Sequence, residues 1–241
     1  MSYKNGPTIV SNGLVLYLDA ANPKSYTSGS TTWKDLSGNG YDFSILASTW
    51  VNLGSQSHMN FESAIAKRVV GGVLTNVPNF TNGTFCIFST IKAPNGDWKT
   101  LTRGASSDHQ VIVQASDGIT LGMYDNDVGG FISAGVDVST TIPNRTTQFN
   151  YMCWKLSQSS PYYQFFYNTN LSSAVGTITN ANATFNNGFA SIGAYHSGNT
   201  DLTSFGQGWG KISLFLYYNR QLSSSELLQN YNATKGRFGL L

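Results

Sequence analysis

The sequence predicts an all-β protein, a two-sheet antiparallel sandwich with one short helix near the C-terminus. Three observations predict it. Short apolar runs rich in aromatic and β-branched residues recur along the chain, closed by Gly, Pro, Asn and Ser. Two of them, Gln110 to Ser116 and Ile119 to Tyr124, are separated by Asp117-Gly118, the pattern of a β-hairpin. A helix start signal is found only at Ser223.

Residues 1–12 form a polar lead, read as an edge segment or an arm, and residues 13–241 form one domain. Gly13 to Asp19 is the first strand, ended by Ala20-Ala-Asn-Pro23, where the Pro removes a donor. In Trp33-Lys-Asp-Leu-Ser-Gly-Asn-Gly40 the two glycines can take positive φ, and Asp35 is placed to accept backbone N–H bonds across the turn.

Strands follow at Thr84 to Lys92, Trp98 to Thr102, the two arms of the hairpin, Phe131 to Val138, Phe149 to Leu156, Tyr162 to Tyr167 and Phe189 to Tyr195. Lys211 to Asn219 is the closing strand, without Pro or Gly, and apolar on both faces, which marks a central strand. Leu214, Leu216 and Tyr218 alternate with Phe215 and Tyr217, so one face fills the sandwich. The other face calls for a helix, a loop or a neighbouring subunit over it.

The helix after it has a complete N-terminal signal. Ser223 and Glu226 have capping-box spacing, and Leu222 and Leu227 can close a hydrophobic staple. Gly236 is the expected terminator, with the helix packed against an end of the sandwich.

Composition limits the function classes. Charged residues are 11% of the 241, against about 25% in an average domain, and the net charge is +2 with the basic residues scattered singly. No basic stripe exists for a phosphate backbone, which excludes nucleic acid as a ligand. No run of apolar residues is long enough for a secretory leader or a membrane span. Cys86 and Cys153 lie in apolar runs and read as buried reduced thiols.

The order Gly13-Leu-x-x-Tyr-x-Asp-Ala20, Trp33-x-Asp-x-Ser-Gly-Asn-Gly40, Ile192-Gly193, Gly210-x-Ile212, Tyr218-Asn-Arg220 and Leu222-Ser-x-x-Glu226 resembles the laminin G-like branch of the concanavalin A-like jelly rolls. The tail Asn230-Tyr-Asn-Ala-Thr-Lys-x-Arg-Phe-Gly239 is similar to versions in structural proteins of tailed bacteriophages. The resemblance implies a jelly roll, and a calcium site at Asp35 as an alternative to the plain turn. The turn is the preferred reading, because a hard cation wants several carboxylates and the position after Ile212, often acidic in members with such a site, is Ser213.

The same superfamily includes glucanases, but this chain has two glutamates only, Glu62 and Glu226, and no acid triad on any strand. Asp125-Asn-Asp127 reads as a turn, and His58, His109 and His196 as isolated surface or loop residues. The expectation is therefore a non-enzymatic virion structural protein, assembled in the host cytoplasm as part of an oligomeric assembly, with other virion proteins as partners. The alternative is an adhesin that binds host-surface glycan. Trp33, Trp98, Tyr124 and Tyr195 are the candidate glycan or partner contacts, and Trp50 and Trp209 are further candidates by type.

Overall fold

Alternation along the closing strand divides its side chains between two hydrophobic clusters. Ile212, Phe215 and Tyr217 enter one, and Leu214, Leu216 and Tyr218 enter the other. The strand separates the space between two sheets from a second core on the outside of one of them.

The computed structural model describes residues 7–45, 49–62, 69–71, 82–104, 109–114, 116–125, 130–180, 189–193 and 208–240. Its elements are β1 (Leu14–Asp19), β2 (Thr32–Trp33), β3 (Phe43–Ile45), β4 (Thr49–Val51), β5 (His58–Asn60), β6 (Val69–Gly71), β7 (Asn82–Ser89) and β8 (Lys99–Gly104). There follow β9 (His109–Val113), β10 (Thr120–Asp125), β11 (Gly130–Asp137), α1 (Val138–Thr141), β12 (Asn150–Ser157), β13 (Tyr163–Tyr167), β14 (Gly176–Ile178), β15 (Phe189–Ile192), β16 (Lys211–Tyr218) and α2 (Ser224–Thr234).

The first sheet runs β14-β13-β12-β7-β16-β5-β4, with β1 also paired to β16; the second runs β11-β10-β9-β8-β15-β6-β3-β2. All of these ladders are antiparallel, and the fold is a jelly-roll sandwich. β16 is central as its composition requires. It pairs β7 on one edge and β5 then β1 on the other.

The inner core takes Phe85, Ile87, Trp154, Leu156 and Phe165 from the first sheet and Leu101, Val111, Val113, Leu121, Met123, Ala134 and Val136 from the second. Burial of one such side chain contributes about 1.5–3 kcal/mol. Two of the polar tips buried here are paired: Trp154 Nε1 donates to Tyr163 Oη at 2.7 Å, and Trp209 Nε1 donates to Ser89 Oγ at 3.1 Å, whereas Trp33 Nε1 has no hydrogen-bond partner among the described residues.

The outer core is roofed by the chain itself. Helix α2 brings Leu227 and Tyr231, the C-terminal turn brings Phe238, and the N-terminal lead brings Val10 onto Cys86, Phe88, Tyr151 and Cys153. The helix thus lies on the face of the first sheet, whereas the sequence suggested an end of the sandwich. Tyr151 on β12 donates its hydroxyl to the carbonyl of Leu227 at 3.2 Å, which ties the helix to the middle of the sheet. Cys86 and Cys153 are fully buried free thiols, directly opposite each other on β7 and β12.

Helix α2 begins at its expected cap: Ser223 Oγ accepts from Glu226 N, and the Glu226 carboxylate accepts from Ser223 N. It ends at Thr234, before Gly236 as expected, but Gly236 is not its left-handed terminator. The chain continues as a 3-10 turn, Lys235–Phe238, and the left-handed residue is Gly239 at φ +68°. Stacking of Phe238 on Phe88, with centroids 4.3 Å apart, holds the turn inward and delays the exit.

Two further differences are local. The Asp117-Gly118 hairpin is wider than a two-residue turn, closing between Gln114 N and Thr120 O at 2.9 Å, because Asp117 Oδ1 accepts from Ile119 N and Thr120 N. The four-residue helix α1, absent from the sequence reading, is capped by Asp137.

Candidate functional site

In the second sheet, Val111 and Val113 of β9, Leu121 and Met123 of β10, and Ala134 and Val136 of β11 point into the core. Strand alternation then puts Gly122, Tyr124 and Phe131 on the outer face. Tyr124 and Phe131 are directly paired across β10 and β11. Trp98, which leads into β8, completes the group: its ring lies 5.5 Å from Phe131 and 6.2 Å from Tyr124, edge-on to the latter at 82°.

All three rings are half-buried, and none belongs to either core cluster. Gly122 makes room for the Phe131 ring. A Cβ there would come 2.1 Å from Ile132 O and 2.8 Å from Phe131 Cζ, so only glycine lets the Phe131 ring lie over the strand. The result is an aromatic shelf on a rigid ladder, with the apolar faces and polar edges of such rings open to a ligand.

The loop before Trp98 is held from below. Lys99 is buried, and its ammonium donates to Asp97 O at 2.5 Å and to Asn95 Oδ1. Burial, with Lys92 nearby, lowers the Lys99 ammonium to about 8. A Cβ on Gly118 would sit 2.8 Å from Pro94 Cβ, so the hairpin turn and this loop touch closely.

Of the residues proposed as contacts from sequence, Trp98 and Tyr124 come together on this shelf. Trp33 does not: it is fully buried in the inner core and presents no ring to a ligand, because β2 is covered on its inner side by the opposite sheet. Tyr195 lies outside the described residues, as do His196 and Asp127. Trp209 is buried, and Trp50 donates its indole N–H to Ala20 O at 2.9 Å with its ring against Tyr26.

Phe131 was not among the sequence candidates. Its signal was its phase, since it alternates with Ile132, Ala134 and Val136 and falls on the opposite face. His58, expected on the surface or in a loop, is instead 3% exposed on β5. Its Nδ1 lies 3.0 Å from Gln56 O.

Asp35 organises the loop that follows β2. Its Oδ1 accepts from Tyr17 N and Ser37 N, and its Oδ2 from Ser37 Oγ and Tyr41 N, at 2.7 to 3.2 Å. Gly38 and Gly40 take positive φ as the turn requires. Both carboxylate oxygens therefore serve this turn, and among the described residues no group of three or more His, Cys, Asp or Glu is arranged to hold a metal ion. Ser213, at the position where an acid would have strengthened such a site, is buried and donates to Ser57 O at 2.7 Å.

The two glutamates are engaged in ion pairs. Glu226 binds Arg220 at 2.5 and 3.0 Å besides capping α2, and Glu62 lies 3.6 Å from Lys211. An open cleft of about 500 Å³ beside Arg220 is lined by Asn82, Ser157, Ser159 and Ser160. Another, of about 600 Å³, runs between Thr8 and Arg237.

No family model matches the chain, and no curated protein does. Solved structures do match in fold. The chain is similar to the Trypanosoma rangeli sialidase in complex with sialic acid, with a TM-score of 0.61 and 11% identity, over 93% of this chain and 33% of that one. It is also similar to the binding domain of botulinum neurotoxin DC in complex with SialylT, with a TM-score of 0.60 and 10% identity, over 93% of this chain and 52% of that one. The chain thus spans a third to about half of the length of these structures. At such identity the likeness is one of fold, a two-sheet β-sandwich.

Proposed function

We propose that this chain is a non-enzymatic, lectin-like module that binds glycan through the aromatic shelf of its second sheet. The carrying observation is the group of Trp98, Tyr124 and Phe131, three half-exposed rings gathered off the core, with Gly122 clearing space for Phe131. Sugar rings present apolar C–H faces that settle on such surfaces, while their hydroxyls bond to polar groups around the rim. The fold shared with solved structures that hold sialic acid or SialylT agrees with this reading.

The absence of catalysis is part of the proposal. Hydrolysis by paired carboxylates needs two acids flanking one bond, and Glu226 is occupied by Arg220 and the helix cap while Glu62 faces Lys211.

The setting we propose is the particle of a tailed bacteriophage, on the resemblance of the tail at Asn230 to Gly239. Those residues also serve the fold: Asn230 binds Val10, Arg237 binds Asp19 and Phe238 stacks on Phe88. The outer face of β16, which on sequence alone called for a helix, a loop or a subunit, is covered by α2 and the N-terminal lead. That face supplies no argument for an assembly, and the balance moves from structural component to glycan binder.

Saturation-transfer NMR with a panel of sialylated and neutral host-surface glycans tests the binding. Contacts to the Trp98 indole are expected; silence across the panel at millimolar glycan overturns the reading. Antibody-gold microscopy on purified particles tests the setting separately, and absence of label from both head and tail would refute it.

A further inference from the structure

A further pocket lies on the other sheet, away from the aromatic shelf and independent of it. It encloses about 280 Å³ between β5, the start of β16, the segment before β12 and the C-terminal turn. That volume has room for a monosaccharide-sized molecule.

The lining has a fixed polarity. His58 Nδ1 faces the carbonyl oxygen of Gln56, which can only accept, so Nδ1 carries the hydrogen and Nε2 of the neutral ring is an acceptor. Burial lowers the His58 pKa and keeps the ring neutral. Gln148 Oε1 accepts from Asn144 Nδ2 at 3.2 Å, which leaves the Gln148 –NH2 group as a double donor. Lys211 supplies the one formal charge of the lining. Its partner Glu62 stands outside the pocket at 3.6 Å, and both side chains are about a third exposed, so the pair leaves the ammonium open to a second anion.

The wall beside these groups is apolar and braced. Phe149 packs on His58 at 5.4 Å and on Phe238 at 5.2 Å, and Phe238 stacks on Phe88. Leu240 closes the same side. Beside the polar side chains of Gln56, Thr90 and Thr147, the lining thus offers a cationic donor, an amide donor, an acceptor and an aromatic wall, which match a single compact molecule. That molecule carries a carboxylate at one end and hydroxyls on an otherwise apolar ring.

We propose that this pocket binds an acidic monosaccharide, its carboxylate on Lys211 and Gln148, a hydroxyl donating to His58 Nε2, and its ring face against Phe149. Because the pocket shares no residue with the shelf, failure of glycan binding at Trp98 leaves this site standing, and the reverse also holds.

Titration of the full chain with glucuronate, glucose and glucosamine, followed by NMR of the His58 ring and the Gln148 side-chain amide, tests it. Glucuronate is expected to shift both, with glucose weaker by about tenfold or more, as for loss of a charged hydrogen bond. Lys211→Gln is expected to bring glucuronate down to the glucose level. Gln148→Ala, at a partly exposed loop position, guards against a variant that fails to fold, and is expected to weaken glucuronate also. No shift with glucuronate, an equal response to all three sugars, or full binding by folded Lys211→Gln would overturn the proposal.

Discussion

Arg237 meets Asp19 end to end: Nη1 lies 2.8 Å from Oδ2 and Nη2 lies 2.9 Å from Oδ1. The pair ties the last turn of the chain to the end of β1, and Arg237 Nε also donates to Ser55 O at 3.1 Å. The Asp19 side chain is 5% exposed and that of Arg237 is 23% exposed. Loss of the guanidinium would leave a carboxylate buried without its cation. Water reaches the Arg237 side and screens the pair, so Arg237→Met should cost about 3 kcal/mol, the low end for breaking a buried pair. Urea unfolding measures this, and a loss below about 0.5 kcal/mol, the usual range for a surface substitution, would show that the pair is only a surface contact.

Asn230 holds the N-terminal lead in place. Its Oδ1 accepts from Val10 N at 2.8 Å, its Nδ2 donates to Tyr218 Oη at 3.1 Å, and that hydroxyl donates to Val10 O at 2.9 Å. Asn230→Ala leaves a buried N–H without a partner, at about 1–3 kcal/mol. Hydrogen exchange should show the Val10 amide losing protection while the β7 and β12 amides keep theirs. Uniform loss across all of them would instead mean that the lead is integral to global stability.

How far these contacts were legible in the sequence depends on their range. The capping box at Ser223 and Glu226 and the Asp35 turn are local, spanning a few residues, and their spacing alone specified them. The double-sided apolar character of β16 was equally plain, but what covers its outer face was not. Val10 and Asn230 are 220 positions apart, and nothing in either segment announces the other. Residue type also could not separate Trp33 from Trp98. Each lies in or next to a strand, Trp33 at the end of β2 and Trp98 just before β8, and only the layer stacked over each decides that one is buried and the other half-exposed. His58 shows the same limit: an isolated histidine reads as surface until Phe149 and the C-terminal turn are placed over it.

Acid should loosen the helix cap. Hydrogen bonds from Arg220, then from Ser223, hold the Glu226 carboxyl down at about 2, against an ordinary 4.5. A depressed carboxyl contributes stability that is present above the unfolded value and lost as pH falls through the folded one. The melting temperature should therefore decline between about pH 4.5 and pH 2, and Glu226→Gln should flatten part of that decline while lowering stability at pH 7. An unchanged acid limb in Glu226→Gln would assign the decline to other carboxylates.

Thr100 offers a gain. Its hydroxyl is buried on β8 and finds no hydrogen-bond partner among the described residues, an arrangement that costs free energy. Thr100→Val keeps the shape and the β-branching while removing the polar atom. Thermal or urea unfolding should show a stabilisation of about 1 kcal/mol. A destabilised variant would mean that an ordered water satisfies the hydroxyl.

The shelf itself can be separated from the fold that carries it. Trp98 and Tyr124 stand off both core clusters, so truncating either should leave the melting transition little changed. Aromatic anchors of this kind carry a large share of binding energy, and Trp98→Ala or Tyr124→Ala should weaken glycan binding by about tenfold or more. Leu228→Ala, on the exposed side of α2 and on the opposite sheet, is the matched control and should bind as the parent does. Gly122→Ala probes the shelf from beneath. Its new methyl would meet Ile132 O and the Phe131 ring, so binding should fall together with stability, by about 1–3 kcal/mol for the latter. Calorimetric titration against the best glycan of the panel reads all four. Parent-like binding by Trp98→Ala and Tyr124→Ala, with the fold intact, would move the glycan site off this face altogether.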